Sequence, residues 1–173
     1  GLRSLEMLAV KTWEVGWEGR VTAQHARAMA LYPEPYYRKV RALLKRAQIG
    51  VVSDPQTGPL YARVRDLYDF GVRIALGQDD IADAYYPFGR NNMLEVAFLA
   101  AHLMWMTSRE EMEILYDLIT THAAEALGVE DYGLEVGNVA DLVVLEAESV
   151  WEALWSHEAP RYVIKAGRDV TLG

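Results

Sequence analysis

The sequence predicts an α/β fold in which short parallel strands alternate with helices. Three stretches have the β-branched or alternating pattern of a strand: 20–26, 49–54 and 72–80. Helical patterns separate them, and their spacing is close to the ~30 residues of a strand–helix–strand unit. In parallel sheets of this kind the functional residues collect at the carboxyl ends of the strands, so we expect a site at that edge.

The helices of the first half are predicted from apolar periodicity and from glycine and proline. Apolar residues share one helical face over 4–15, and Gly16 ends that helix. Pro35 marks the start of a second helix, over 36–48, which places its cations on the outer face. A third helical pattern covers 61–71.

In the second half, an aromatic loop leads into an apolar helix over 92–106. Ser108 and Glu111 form an S-x-x-E capping box, which begins a helix or a pair of helices that ends at Gly128. The tail carries strand patterns around a short helix: 140–147, the helix at 151–156, 160–167 and 168–173. These strands are predicted to form a small separate β element that pairs with sequence this chain lacks.

Composition excludes several classes of protein. With 51% hydrophobic and 24% charged residues, the chain buries a sizeable core and is not intrinsically disordered. The formal net charge of −8 repels a nucleic-acid backbone. There are no cysteines, which excludes thiolate zinc sites and cysteine nucleophiles. The longest nearly apolar run, over 96–106, is far shorter than the ~18 residues of a membrane span.

The 173 residues amount to one domain, or to one domain and a fragment. Three strands do not close a barrel, and five tryptophans and ten tyrosines need more packing surface than a three-stranded sheet offers. We therefore expect a half-fold that pairs with another piece, or a fragment of a longer protein, with sequence missing upstream of Gly1. The cations between Arg20 and Arg46 are interpreted as a solvated helix face or an oligomer contact.

The sharpest local feature is the sequence Gly77-Gln78-Asp79-Asp80 at the end of the third strand pattern. Two adjacent carboxylates there are costly unless a cation, a proton or hydrogen bonds compensate them, and a divalent metal ion would do so. The alternative is structural, with Asp79 capping the turn and Asp80 facing solvent.

His25 ends the first strand pattern, and such a histidine is by itself more often structural than catalytic. Because Asp79 is predicted at the same edge, we expect the two side chains to converge around a metal-bound water, with the imidazole orienting the hydroxide. The aromatic sequence over 85–88 follows the acids directly. It either stacks on a flat ring substrate or forms a hydrophobic lid, and the sequence favours neither.

Five segments, taken in order, resemble the C-terminal half of cytosine deaminase and its near relatives in the amidohydrolase superfamily. They are RVTAQHARAM (20–29), VVSDP (51–55), GQDDIADAYYPFGRNNML (77–94), THAAEALGVEDYGLEVGNVADLVVL (121–145) and RYVIKAG (161–167). Each is weak alone. A strand-end histidine, a G-x-D-D sequence, an aromatic-proline loop and a G-x-x-A-D-L-V-V-L tail in register are specific together.

The resemblance implies a metal-dependent hydrolase TIM barrel, of which this chain supplies the last three β/α units, plus C-terminal strands of a small β-sandwich. On that basis residues 1–137 are the C-terminal part of the (β/α)₈ barrel. Residues 138–173 are the C-terminal part of the sandwich domain.

The resemblance also implies roles for individual residues. Asp79 falls on the strand-eight aspartate, which ligates the metal and takes a proton from the bound water, and His25 falls on the strand-six histidine, which hydrogen-bonds the hydroxide. Asp80 falls on the following acid near the substrate. Tyr85 occupies the place where cytosine deaminases usually carry a tryptophan against the substrate ring, so isocytosine-like and other cyclic amidine substrates stay open.

The implied activity is metal-dependent hydrolytic deamination of a nucleobase or similar flat heterocycle, cytosine-like or isocytosine-like. One divalent ion, zinc or iron, is expected in the complete protein. The family's H-x-H motif, its substrate-binding glutamine, and its strand-five histidine with the nearby catalytic glutamate have no counterpart here. The chain alone is therefore expected to be an inactive fragment, since a catalytic metal usually has three protein ligands.

The expected partners are a small heterocyclic substrate and further copies of the same chain in a homo-oligomer. Neither nucleic acid nor membrane is expected, and the expected location is the cytoplasm. Two alternatives stay open. One is an amidohydrolase of another cyclic amide or of a triazine, and the other is a non-catalytic assembly module built on a half barrel.

Overall fold

The computed structural model describes residues 2–171 and contains two three-stranded sheets with helices packed around the first. The first sheet is parallel, in the order β1-β2-β3. Its strands are β1 (Thr22–Gln24), β2 (Gly50–Ser53) and β3 (Ile74–Leu76). The predicted α/β class is thus confirmed. Each strand is shorter than its sequence pattern, and because β3 ends at Leu76, the acidic pair lies in the loop that follows it.

In the described part of the chain, seven α-helices surround or follow this sheet, and they match the helical patterns of the sequence to within a few residues. They are α1 (Ser4–Glu14), α2 (Glu34–Arg46), α3 (Val64–Phe70), α4 (Met93–Met104), α5 (Arg109–Asp117), α6 (Thr121–Leu127) and α7 (Val150–Ser156). Two short 3₁₀ turns follow the first two strands, at Arg27–Leu31 and Pro55–Thr57. The predicted capping box is present, since Ser108 and Glu111 each accept a hydrogen bond from the other's backbone N–H.

The core lies between the parallel sheet and the helices. In α2 the buried residues Tyr37, Val40 and Leu44 recur at helical spacing and so face the same side. All three residues of β3 are buried. Close packing of α6 on β2 depends on Gly50, because a Cβ at that position would lie 2.1 Å from the carbonyl oxygen of Ala126.

The second sheet is antiparallel and comprises β4 (Leu142–Val144), β5 (Tyr162–Lys165) and β6 (Arg168–Asp169). Most of its residues are exposed or half-buried. The strand predicted over 168–173 covers only Arg168–Asp169 in the structure, and the last two residues of that prediction, 172 and 173, lie outside the described part of the chain. Closure of a TIM barrel, the sandwich and the boundary between residues 137 and 138 stay predictions.

Large apolar side chains remain at the surface. All five tryptophans are exposed, by between 49% and 84%, although a buried tryptophan contributes more apolar area to a core than most residues. Within residues 2–171, no helix is long and apolar enough to cross a membrane.

Candidate functional site

His25 follows β1 directly and lies at the centre of a tight three-residue turn. Its φ is +62°, and the N–H of Ala26 donates to the carbonyl oxygen of Gln24 at 2.7 Å. Positive φ is unfavourable for a residue with a Cβ, and such turns persist only where the surrounding structure holds them. The backbone therefore turns sharply out of the sheet at this histidine.

Asp79 occupies the same kind of turn beyond β3. Its φ is +65°, and the N–H of Asp80 donates to the carbonyl oxygen of Gln78 at 3.0 Å. The side chain of Gln56, from the turn after β2, donates to the carbonyl oxygens of Gly77 at 3.0 Å and Gln78 at 2.9 Å. The loops after β2 and β3 are thereby connected.

The turns after β1 and β3 bring His25 and Asp79 together. His25 Nδ1 lies 3.8 Å from Asp79 Oδ2. The sequence placed both residues at one edge of the sheet, and in the structure their side chains share one site there. Their catalytic roles stay predictions.

Asp54 is a third member of this site that the sequence analysis did not single out. It follows β2, and its side chain is only 4% exposed. One carboxylate oxygen, Oδ1, lies 2.9 Å from His25 Nδ1. The other, Oδ2, accepts hydrogen bonds from Arg27 and from the hydroxyl of Thr57.

Electrostatics keep Asp54 ionised in spite of its burial. Burial alone would raise the pKa of this carboxyl, but the hydrogen bonds with Thr57, Arg27 and His25 outweigh it and lower the pKa below its ordinary value. Arg27 therefore does not belong to a solvated helix face, as its position among the cations suggested. Its guanidinium is half-buried at the site, with Nη2 also 3.7 Å from Asp79 Oδ2.

Asp80 is half-buried next to two other acids. Burial, a hydrogen bond with Asp83 and the charge of Asp79 raise the pKa of Asp80. The carboxylate of Asp83 accepts from the backbone N–H groups of Tyr85 and Tyr86 at 2.8 and 2.9 Å, which lowers the pKa of Asp83. Two neighbouring acids thus have pKa values displaced in opposite directions.

Tyr85 lies above the turn after β2. Its hydroxyl donates to the carbonyl oxygen of Thr57 at 3.3 Å, and the residue is 66% exposed. Phe88, in the same loop, is 71% exposed. Tyr85 and Phe88 are therefore accessible in this chain, while Tyr86 is half-buried and packs edge-to-face on Phe88. Whether the loop stacks on a substrate or forms a lid stays a prediction.

The donor atoms at this site fit part of a metal site. His25, Asp54 and Asp79 each offer one ligand atom, and these atoms lie within 4.8 Å of one another. Asp54 is already paired with three donors, one of them the Arg27 cation, which leaves Asp79, with an imidazole beside it, as the carboxylate better able to offer lone pairs. A catalytic zinc ion usually has three protein ligands, so further ligands would have to come from other residues.

Comparison with known proteins identifies a family and several relatives that match almost the whole of this chain. Residues 2–171 match the model of the Amidohydrolase family. N-isopropylammelide isopropyl amidohydrolase of Pseudomonas sp. strain ADP is 32% identical over 171 residues, which is 98% of this chain and 42% of that protein. The structure of 5-methylcytosine deaminase from Klebsiella pneumoniae, liganded with 5-fluorocytosine, superimposes with a TM-score of 0.89 at 30% identity, covering 99% of this chain and 45% of that one.

Two further structures extend the comparison. N-isopropylammelide isopropylaminohydrolase from Burkholderia multivorans has a TM-score of 0.92 at 27% identity over 98% of this chain and 43% of that one. Atrazine chlorohydrolase TrzN from Arthrobacter aurescens, complexed with zinc, shares the fold at 21% identity and a TM-score of 0.63, over 92% of this chain and 38% of that one. The chain thus spans less than half the length of these relatives. With a family match over nearly its whole length, the chain belongs to the amidohydrolase family.

Proposed function

We propose that this chain carries part of the active site of a metal-dependent hydrolase acting on a flat nitrogen heterocycle. The reaction would remove an exocyclic amino or alkylamino group, with a cytosine-like or isocytosine-like ring as the first candidate substrate. The observation that carries the proposal is that His25 Nδ1 lies 3.8 Å from Asp79 Oδ2 at the carboxyl ends of the strands, next to the aromatic loop over 85–88. The names of the relatives support it. 5-Methylcytosine and N-isopropylammelide are both flat nitrogen rings, and in each a ring carbon bears an amino or alkylamino group.

Asp79 is the residue of this chain that would hold the ion, zinc or iron, through its carboxylate. A bound divalent ion would supply Lewis acidity, which makes a water molecule acidic enough to act as a nucleophile near neutral pH. The remaining ligands would come from the part of the relatives' length that this chain does not span.

The chain's own residues would then orient the attacking water and move its proton. His25 would hold the water by a hydrogen bond, and the Asp79 carboxylate would accept its proton as oxygen attacks the ring carbon that bears the amino group. A C–O bond forms, the C–N bond breaks, and the proton leaves with the amine. Asp80 would hydrogen-bond the substrate, and Tyr85 would stack on its ring.

A triazine is the second candidate substrate, and the similarity to two N-isopropylammelide hydrolases favours it. A flat triazine would stack on Tyr85 as readily as a pyrimidine, so the described residues do not distinguish the two rings. The leaving group does, because a nucleobase amine releases ammonia whereas N-isopropylammelide releases isopropylamine.

The experiment is to express the complete coding sequence that contains this chain and to load the product with zinc or iron. We expect ammonia release from cytosine or isocytosine, or isopropylamine release from N-isopropylammelide, and no turnover by the 173-residue chain alone. Absence of turnover on the whole panel by metal-loaded protein would overturn the proposal. A stable oligomer of this chain that binds neither metal nor heterocycle would instead support an assembly module, and sedimentation of the same samples tests the proposed homo-oligomer.

A further inference from the structure

The surroundings of Asp54 contain hydrogen-bond donors on both of its carboxylate oxygens. Oδ2 accepts from Arg27 and Thr57, and Arg27 cannot serve as an acceptor because a guanidinium has only donors. Oδ1 lies 2.9 Å from His25 Nδ1. An ionised carboxylate has only lone pairs to offer, so Nδ1 must supply the proton of this hydrogen bond.

We infer that Asp54 is a positioning residue that fixes the tautomer of His25. In this arrangement a neutral His25 ring carries its proton on Nδ1, and Nε2 keeps the lone pair. Nε2 is then the nitrogen with which His25 would accept a hydrogen bond from the attacking water. This catalytic consequence rests on the proposed function. The tautomer itself is a property of this chain without substrate or metal.

The carboxylate of Asp54 is rigidly held, as such a role requires. It is 4% exposed, whereas the imidazole of His25 is 44% exposed. The 3₁₀ turn at Pro55–Thr57 closes on the same residue, since the N–H of Thr57 donates to the carbonyl oxygen of Asp54 at 3.2 Å. Among residues 2–171, hydrogen bonds reach the His25 ring at Nδ1, which leaves Nε2 for a ligand.

An alternative role for Asp54 is that of a metal ligand alongside His25 and Asp79, since their donor atoms cluster. The position of Arg27 argues against it. The guanidinium and the Thr57 hydroxyl donate directly to Asp54 Oδ2, so a metal ion on that oxygen would have to displace them, whereas Arg27 stays 3.7 Å from Asp79, beyond hydrogen-bond distance. Asp54 is therefore better suited to orienting the imidazole than to coordination.

The decisive variant is Asp54→Asn, which is nearly isosteric and has one carbonyl oxygen and one NH₂ group. Arg27 and Thr57 both donate at the Oδ2 position, so the carbonyl oxygen of the amide has to face them. The NH₂ group then faces His25 and can only donate, which makes Nδ1 the acceptor and moves the ring proton to Nε2. An aspartate-to-asparagine change beside a catalytic histidine selects the wrong tautomer in this way.

The measurement is long-range ¹H–¹⁵N NMR of the histidine rings in the metal-free 173-residue chain, at a pH where they are neutral. We expect a protonated Nδ1 and an unprotonated Nε2 for His25, and the reverse in Asp54→Asn. In Asp54→Ala the preference should be lost, with the two nitrogen signals moving toward each other. Amide spectra of each variant report whether it is folded.

Asp66→Asn is the matched control. Its carboxylate also accepts from an arginine and a hydroxyl, Arg41 and Tyr37, but it lies away from His25, so the His25 signals should not change. His102, whose Nδ1 lies 2.9 Å from the carbonyl oxygen of Phe98, serves as an internal reference in every variant. A wild-type His25 with its proton on Nε2, or a folded Asp54→Asn that keeps Nδ1 protonated, would overturn the inference. Neither result depends on turnover, so a failed activity assay leaves the NMR test valid.

Discussion

The two aspartates that flank His25 follow neighbouring strands of one sheet but have opposite surroundings. The side chain of Asp54 is 4% exposed and is held by three hydrogen-bond donors. The side chain of Asp79 is 31% exposed, and its contacts with His25 and Arg27 are at 3.8 and 3.7 Å, which is longer than a hydrogen bond.

This difference separates the framework of the site from its ligand-binding part. Asp54 is buried and its carboxylate already takes part in three hydrogen bonds, so its charge serves to hold Arg27 and His25. Asp79 has lone pairs to offer and sits in a strained turn beside Asp80, whose pKa its charge raises. A cation at Asp79 would relieve that repulsion, whereas one at Asp54 would compete with Arg27.

The largest effect is expected from Asp79→Asn in an active protein that contains this chain. The amide would lose both the ligand charge and the proton acceptor, so kcat should fall by at least ~10³-fold together with the bound metal. Amine release and metal analysis of the same sample measure both. Asp83→Asn, in the same loop, is the control for metal content and should retain the metal. Full metal content with normal turnover in Asp79→Asn would remove Asp79 from the mechanism.

His25→Ala should be the next most severe change. Loss of the imidazole leaves the water unoriented, and kcat/KM should fall by roughly 10²–10⁴-fold, the usual range for a positioned acid–base group. Metal content should stay close to that of the wild type, since His25 is assigned to the water and not to the ion. A decrease of less than tenfold, or loss of the metal, would contradict that assignment.

The sequence was sufficient for the α/β class, the helices and the convergence of His25 with Asp79. These follow from local periodicity and from the rule that parallel strands bring their carboxyl ends to one edge. The same rule, applied to the second strand pattern, points to Asp54, which precedes Pro55 at the equivalent position. A D-P pair is also an ordinary turn signal, so this pattern alone does not distinguish a functional aspartate from a structural one.

Arg27 was beyond what the sequence could show. It precedes a helix whose cations are mostly exposed, at Arg38, Lys39, Lys45 and Arg46. It follows the sharp turn at His25, whose φ is +62°, and its guanidinium contacts Asp54. The need for glycine in the G-x-D-D sequence is likewise tertiary, because a Cβ on Gly77 would come within 2.7 Å of Val52 on the neighbouring strand. Periodicity carries no information on such contacts.

Asp54→Ala should destabilise the fold by about 3 kcal/mol, the usual cost of removing one partner from a buried ion pair. Because the folded-state pKa of Asp54 is lowered, its ionisation stabilises the fold above the ordinary carboxyl pKa of about 3.9. That contribution is lost as the pH falls through the folded-state value. Urea unfolding at pH 7 and near pH 3 should therefore show a smaller difference between variant and wild type at the lower pH. An equal difference at both would mean that the charge of Asp54 does not contribute.

The smallest effects are expected at Tyr85, on the ligand-binding side of the comparison. Its hydroxyl makes a 3.3 Å bond to Thr57 and also interacts with Arg27, and neither contact is with the ring face, so Tyr85→Phe should change KM less than Tyr85→Ala. Tyr85→Ala removes a ring face worth ~1 kcal/mol in stacking and should raise KM several-fold with little change in kcat. Phe88→Ala is the matched control, because Phe88 is equally exposed in the same loop but is not assigned to the substrate. Equal KM changes in the two alanine variants would show that the loop acts through its general hydrophobicity. A change confined to Tyr85→Ala would place the substrate ring next to the turn after β2, where Asp54 holds Arg27 and His25 in position.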